Sequence, residues 1–127
     1  MGIIAMDFDT AQYLNIGTFR KSGNRVDTPV WFAVDGDYFY VLSNNQAGKL
    51  KRLRNSSRCQ LAPCTLLGSP TGEWRDSDAF LVSDPEEEKR AHQALKKKYG
   101  WQMLLLDSGA WIGGRIKQRT YIRINKP

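Results

Sequence analysis

The stretch Leu42-Ser-Asn-Asn-Gln-Ala-Gly-Lys-Leu-Lys-Arg-Leu-Arg54 carries the residue types and spacing best suited to chemistry. It joins the end of a β-prone run to a glycine-led basic turn that opens a helix. Such a junction is an anion site in outline. Backbone N–H groups around Ala47 and Gly48 can converge on one point, the helix adds its positive end, and Lys49, Lys51 and Arg52 supply full charges within a turn. A phosphate suits that arrangement, and so does a plain solvated basic face, which is what most charge runs are.

Little else in the chain competes for a chemical role. Paired carboxylates, zinc-ligand spacing, a Gly-x-Ser-x-Gly elbow and a Walker loop do not occur. His92 is the only histidine and falls beside the apolar stripe of a predicted helix, so it reads as a boundary residue rather than an acid–base group. Of the four tryptophans, Trp31, Trp74, Trp101 and Trp111, most should pack in cores or interfaces, and Trp31 is the one expected beside a ring-shaped ligand. Cys59 and Cys64 lie five apart on one predicted strand, so they should point to opposite faces and stay free thiols without a redox role.

With 127 residues, residues 1–127 form one domain with a single core. Composition is ordinary for a globular chain, at 41% hydrophobic and 25% charged, with no biased tract or repeat. The net charge of +6 favours anionic partners without separating a nucleotide cofactor from nucleic acid. The chain has no apolar run of about 18 residues. Its first residues, Met1-Gly-Ile-Ile-Ala-Met-Asp, lack a basic leader segment, so a cytoplasmic protein with no membrane partner is expected.

The elements that must position the basic turn follow from periodicity. Residues 1–11 are weakly determined, with a short helical turn around Asp9. Tyr13–Phe19, Arg25–Val34 and Tyr38–Ser43 alternate as strands of a meander, broken at Arg20–Asn24 and Asp35–Asp37. Pro29, in the middle of the second strand, has no N–H for a ladder, so that strand is at an edge, is bulged, or lies against something other than a strand, such as a flat ligand. After a helix over Gly48–Asn55, strands are predicted over Ser57–Pro63 and Glu73–Val82, with Leu66–Gly72 as a loop or a mixture of strand and loop. Asp84 as N-cap, Pro85 at the first helical position, Glu87 in capping-box spacing and Gly100 as stop define a helix over Pro85–Tyr99. Trp101–Trp111 is apolar and reads as a short helical or irregular segment packed on the sheet. Lys117–Ile124 then alternates as a closing strand with Arg119, Tyr121 and Arg123 on a wet face. The economical architecture is a mainly β, six-stranded barrel with peripheral helices.

Five segments in this order, Thr18-Phe-Arg20, Val26-Asp-Thr-Pro-Val-Trp-Phe32, Ala47-Gly-Lys-Leu-Lys-Arg52, Leu61-Ala-Pro-Cys64 with Gly68, and Lys98-Tyr-Gly-Trp101, resemble the signature of the split-barrel flavin and deazaflavin reductases. These are pyridoxamine 5'-phosphate oxidase-like proteins of the FMN-binding split-barrel type, and the nearest branch is the F420-dependent enzymes of that class. The resemblance spans about Tyr13 to Ile124 and implies a six-stranded split β-barrel, a homodimer with cofactor sites at the subunit interface, and FMN or coenzyme F420 as cofactor. It places Asp27, Thr28, Pro29, Val30, Trp31 and Phe32 along one side of the flavin ring, mostly through backbone groups. Leu42 and Ser43 fall near the ring and ribityl chain. Gly48 and Lys49 fall at the phosphate, with Lys51 and Arg52 adding positive field. Gly48 departs from the oxidases that bind FMN, which tend to carry arginine there, and agrees with the deazaflavin branch.

These readings combine into an expected oxidoreductase that moves a hydride between a flavin-type cofactor and a small organic substrate, with no catalytic side chain identified. The alternatives are a nucleic-acid-binding small barrel using the Lys49–Arg58 basic face and a cofactor binder without turnover. Nucleic acid is the less expected partner, because aromatic residues are not interleaved with the basic run. A homodimer is also expected on physical grounds, since four tryptophans and the Trp101–Trp111 segment exceed what one small core absorbs.

Overall fold

The computed structural model describes residues 8, 10–44, 48–103 and 119–127. The chain forms β1 (Tyr13–Phe19), β2 (Arg25–Asp35), β3 (Tyr38–Asn44), α1 (Gly48–Asn55), β4 (Arg58–Cys64), β5 (Arg75–Leu81), α2 (Pro85–Tyr99) and β6 (Arg119–Asn125). Six antiparallel strands close into a barrel in the order β1-β2-β3-β6-β5-β4. Two strands change partners along their length. β2 pairs with β1 from Arg25 to Trp31 and with β3 from Phe32 to Asp35. β5 pairs with β4 from Arg75 to Asp78 and with β6 from Ala79 to Leu81. The wall is thus two sheets joined at two seams, which makes this a split barrel.

Alternation fills the interior. Leu14 and Ile16 on β1, Val30 and Phe32 on β2, Phe39 and Val41 on β3, Cys59 and Leu61 on β4, and Ile122 and Ile124 on β6 form one buried cluster. Leu50 and Leu53 of α1 complete that cluster, so α1 seals the barrel rather than resting on its outside. Outside the wall, α2 lays Ala91, Leu95 and Tyr99 on Ala33, Tyr40, Val82 and Tyr121. Cys59 faces the barrel core and Cys64 is also buried; both are free thiols, and burial, with the carboxylates of Asp78 and Asp76, pushes the Cys59 thiol up to about 12.

Three local expectations are corrected by tertiary contacts. Tyr121 is buried rather than wet, because α2 covers the outer face of β6 at that point. Asp84 stands before α2 in extended conformation but makes no side-chain cap bond. Glu87 turns away from the capping box to accept from the Tyr40 hydroxyl at 2.9 Å and from Arg123 Nη1 at 3.1 Å. The burial of Tyr40 and its bond to Glu87 push that phenol up to about 12. Phe8 and Thr10 are helical, in line with the expected turn, while Trp111 and the first residues of the predicted closing strand, Lys117 and Gln118, lie outside the described residues. Pro29 is explained by the seam: its half of β2 pairs with β1 alone, so the strand is an edge there.

The seam at Trp31–Phe32 leaves backbone groups that no strand satisfies, and Tyr99 supplies the partner. Its hydroxyl accepts from the Phe32 N–H at 2.9 Å and donates its one hydrogen to the Gln12 carbonyl at 2.6 Å, with the Phe32 carbonyl as a second acceptor 3.1 Å away. Its ring stacks on Trp31 with centroids 4.5 Å apart. Tyr99→Phe keeps the stack but removes the partner of the buried Phe32 N–H and of the Gln12 carbonyl, and is expected to destabilise the fold by about 1–3 kcal/mol. Urea denaturation followed by tryptophan fluorescence checks this; an unchanged midpoint would show that the hydroxyl does not close the seam.

Candidate anion and cofactor site

α1 begins at Gly48, after β3 has ended at Asn44, and its inward face is set by Leu50 and Leu53. That anchoring carries Lys49 inward as well. Lys49 is only 8% exposed, a rare placement for a lysine, and among the described residues it has no hydrogen bond or ion pair. Burial first, and the Arg52 guanidinium second, hold its amine below the usual lysine range.

Arg52 is half-buried one turn later. Its Nε donates to Thr18 Oγ1 at 2.6 Å, and a Cβ built on Gly48 would sit 2.9 Å from its Nη1. Burial and the nearby charge of Arg20 hold the Arg52 guanidinium below its usual range. Lys49, Arg52 and Arg20 are therefore neighbouring cations from two elements, and no carboxylate among the described residues pairs with any of them. Such a group is complementary to a multiply charged anion.

The other expected site residues fall in two places. Leu42 is half-buried against the outer cluster and Ser43 is buried, both on the strand that leads towards α1. Lys51 is exposed beside the site. On β2, Asp27 is exposed and ion-paired to Arg25 at 2.8 Å, Thr28 is half-buried, Pro29 is exposed, and Val30 and Phe32 face the barrel core. Trp31 spends one ring face on Tyr99. The register connects the two groups: Thr18 lies opposite Val26, and Gly17 opposite Asp27. A loop covers part of this edge, for Asn15 Nδ2 donates to the Gly68 carbonyl at 2.6 Å, and a Cβ on Gly68 would meet the Pro29 ring at 3.5 Å.

Two site residues were not anticipated. Thr18 and Arg20 appeared in the sequence only as members of a motif, yet one positions Arg52 and the other adds charge beside it. The legible signal was the inward row Leu14, Ile16, Thr18, where a hydroxyl replaces an apolar side chain. His92 is half-buried and lines a groove of about 610 Å³ between α2 and β6, with Lys89, Arg119 and Tyr121.

The fold is a split barrel of the pyridoxamine 5'-phosphate oxidase-like type. Among solved structures it is similar to HutZ, the haem storage protein of Vibrio cholerae, at 12% identity and TM-score 0.73 over 99% of this chain and 89% of that one. It is also similar to a provisionally named pyridoxamine 5'-phosphate oxidase of Listeria innocua, at 15% identity and TM-score 0.66 over 97% and 90% of the two chains. A FAD-binding protein of Mesorhizobium loti matches at 13% identity and TM-score 0.60 over 95% and 83%. Likeness at these identities is one of fold. No protein-family profile matches the sequence, and no curated protein matches it significantly.

Because Lys49 is buried without a counter-charge among the described residues, Lys49→Met is expected to raise the melting temperature of the ligand-free protein, corresponding to about 0.5–2 kcal/mol. The sign with pH follows from the lowered pKa: the folded protein holds its proton less tightly than the unfolded chain. The penalty is full below the folded pKa and fades as pH rises through it towards the ordinary lysine value. The advantage of the variant should therefore shrink at alkaline pH; a lower melting temperature for Lys49→Met at neutral pH would contradict the assignment.

Proposed function

We propose that the protein is an oxidoreductase that holds a flavin-type cofactor, FMN or the deazaflavin F420, by its phosphate at the start of α1. The observation that carries this reading is the buried Lys49, without a partner among the described residues, beside Arg52, a placement a helix surface facing water does not need. The Lys49 amine and the free guanidinium N–H groups of Arg52 donate to phosphate oxygens, and Arg20 adds field. The unpaired edge of β2 from Asp27 to Trp31 offers the cofactor ring a flat backbone flank. When bound, the cofactor itself supplies the hydride chemistry, passing it to or from a small organic substrate; the chain binds, orients and excludes water. The site works at the interface of a homodimer, and the exposed Leu66, Leu67 and Trp101 are apolar surface a second copy would cover.

The nucleic-acid alternative is weakened by how the basic run is spent. Lys49 is buried, Arg52 is turned onto Thr18, and Arg58 stacks on Phe19 at 4.2 Å, so the run is not one continuous exposed face. Likeness to a haem storage protein brings a haem reading, for which the single histidine, His92, in its groove would be the imidazole ligand.

Titration of the purified protein with FMN and F420, read by cofactor fluorescence, should give micromolar or tighter binding. Lys49→Ala removes a charge-assisted bond worth about 1.5–3 kcal/mol, so FMN affinity should fall roughly tenfold to a hundredfold, while riboflavin, which lacks the phosphate, binds almost unchanged. Equal loss for both ligands would remove the phosphate role. A Soret band with hemin, or steeply salt-dependent binding of short DNA in place of flavin, would replace this reading. Light scattering should report about twice 14.5 kDa.

A further inference from the structure

Thr18 is fully buried, yet it occupies the inward row of β1 after Leu14 and Ile16, where an apolar side chain would pack without a bonding requirement. Its hydroxyl oxygen is taken by Arg52 Nε at 2.6 Å. A guanidinium fixed by Nε keeps its Nη1–Nη2 edge free, and that edge matches two oxygens of one anion. Among the described residues no acceptor meets those donors.

Gly48 completes the arrangement. It has no left-handed backbone to explain it, and glycine is a poor residue for a helix. What it provides is room, since any side chain would press on Arg52 Nη1, 2.9 Å from the Cβ position. We propose that Thr18 and Gly48 are positioning residues for the anion site: Thr18 anchors Arg52 by Nε, and the side-chain-free Gly48 lets the guanidinium lie across the start of α1, so that Arg52 and Lys49 grip the same doubly charged phosphate monoester. This rests on the phosphate reading above and adds what selects the ligand. Three cations with no carboxylate partner among the described residues are mismatched to a singly charged carboxylate and matched to a dianion.

The test compares FMN, riboflavin and inorganic phosphate on the full chain. Arg52→Ala should weaken FMN roughly tenfold to a hundredfold, and Thr18→Val, which removes only the anchor, roughly twofold to tenfold, with riboflavin unchanged. Thr18→Ser should restore FMN affinity, and Thr18→Val should add nothing in the Arg52→Ala background. Gly48→Ala leaves the barrel interior intact and displaces only the flexible end of Arg52. It should lower FMN affinity without lowering the melting temperature, so the proposal stays testable even if Thr18→Val folds poorly. Equal losses for FMN and riboflavin, an additive double variant, or an unaffected Gly48→Ala would overturn it. If FMN does not bind but inorganic phosphate does, with the same dependence on Thr18, Gly48 and Arg52, the positioning stands and the flavin reading falls. A wild type that binds neither overturns both.

Discussion

The hydroxyl of Tyr99 is the constraint on which the barrel depends. A strand that changes partners must leave some of its N–H and C=O groups between the two ladders, and buried groups of that kind are tolerated only when something bonds them. At Phe32 a side chain from α2 takes that place and reaches Gln12 as well, tying the outer helix, the entry to β1 and the seam of β2 to one oxygen atom. Burial pushes the Tyr99 phenol up, so it remains a neutral donor and acceptor across the physiological range. Lys98 extends the same arrangement: its amine lies 3.5 Å from the centre of the Phe32 ring and donates to the Ala11 carbonyl at 2.9 Å, while burial draws its pKa down to about 8.

The proposed anion site depends on the barrel in another way. Leu50 and Leu53 fix the rotation of α1 by entering the core, and once that rotation is fixed Lys49 has no route to full solvation. The energy that makes Lys49 unfavourable without a ligand is supplied by the hydrophobic contacts of its neighbours. A site built this way is preorganised, since binding an anion relieves a mismatch already present in the folded chain.

Much of this was legible in the sequence because it is set locally. The strands Tyr13–Phe19 and Tyr38–Asn44 follow from alternation, and α2 follows from Pro85 at its start and Gly100 at its end, where φ is 56° and the N–H reaches the Lys96 carbonyl. Lys49 was legible as a charge after a glycine but not as a buried one, because burial depends on where Leu50 and Leu53 land. Tyr121 reads as solvent-facing until α2 is placed over it, and Glu87 satisfies a capping pattern that Tyr40 and Arg123 then outbid. Thr18 and Gly48 look incidental apart, and only the guanidinium lying between them gives either a meaning. The misreadings share one origin: side chains settled by partners distant in sequence.

Pro29 has a consequence for how copies of this chain behave towards one another. The half of β2 that pairs only with β1 is an edge, and an edge with free N–H groups is a template on which a strand of another molecule can add, the first step of sheet growth between chains. Proline at the centre of that edge has no hydrogen to offer, and the loop at Gly68 lies beside its ring. This edge of β2 is therefore a poor seed for aggregation.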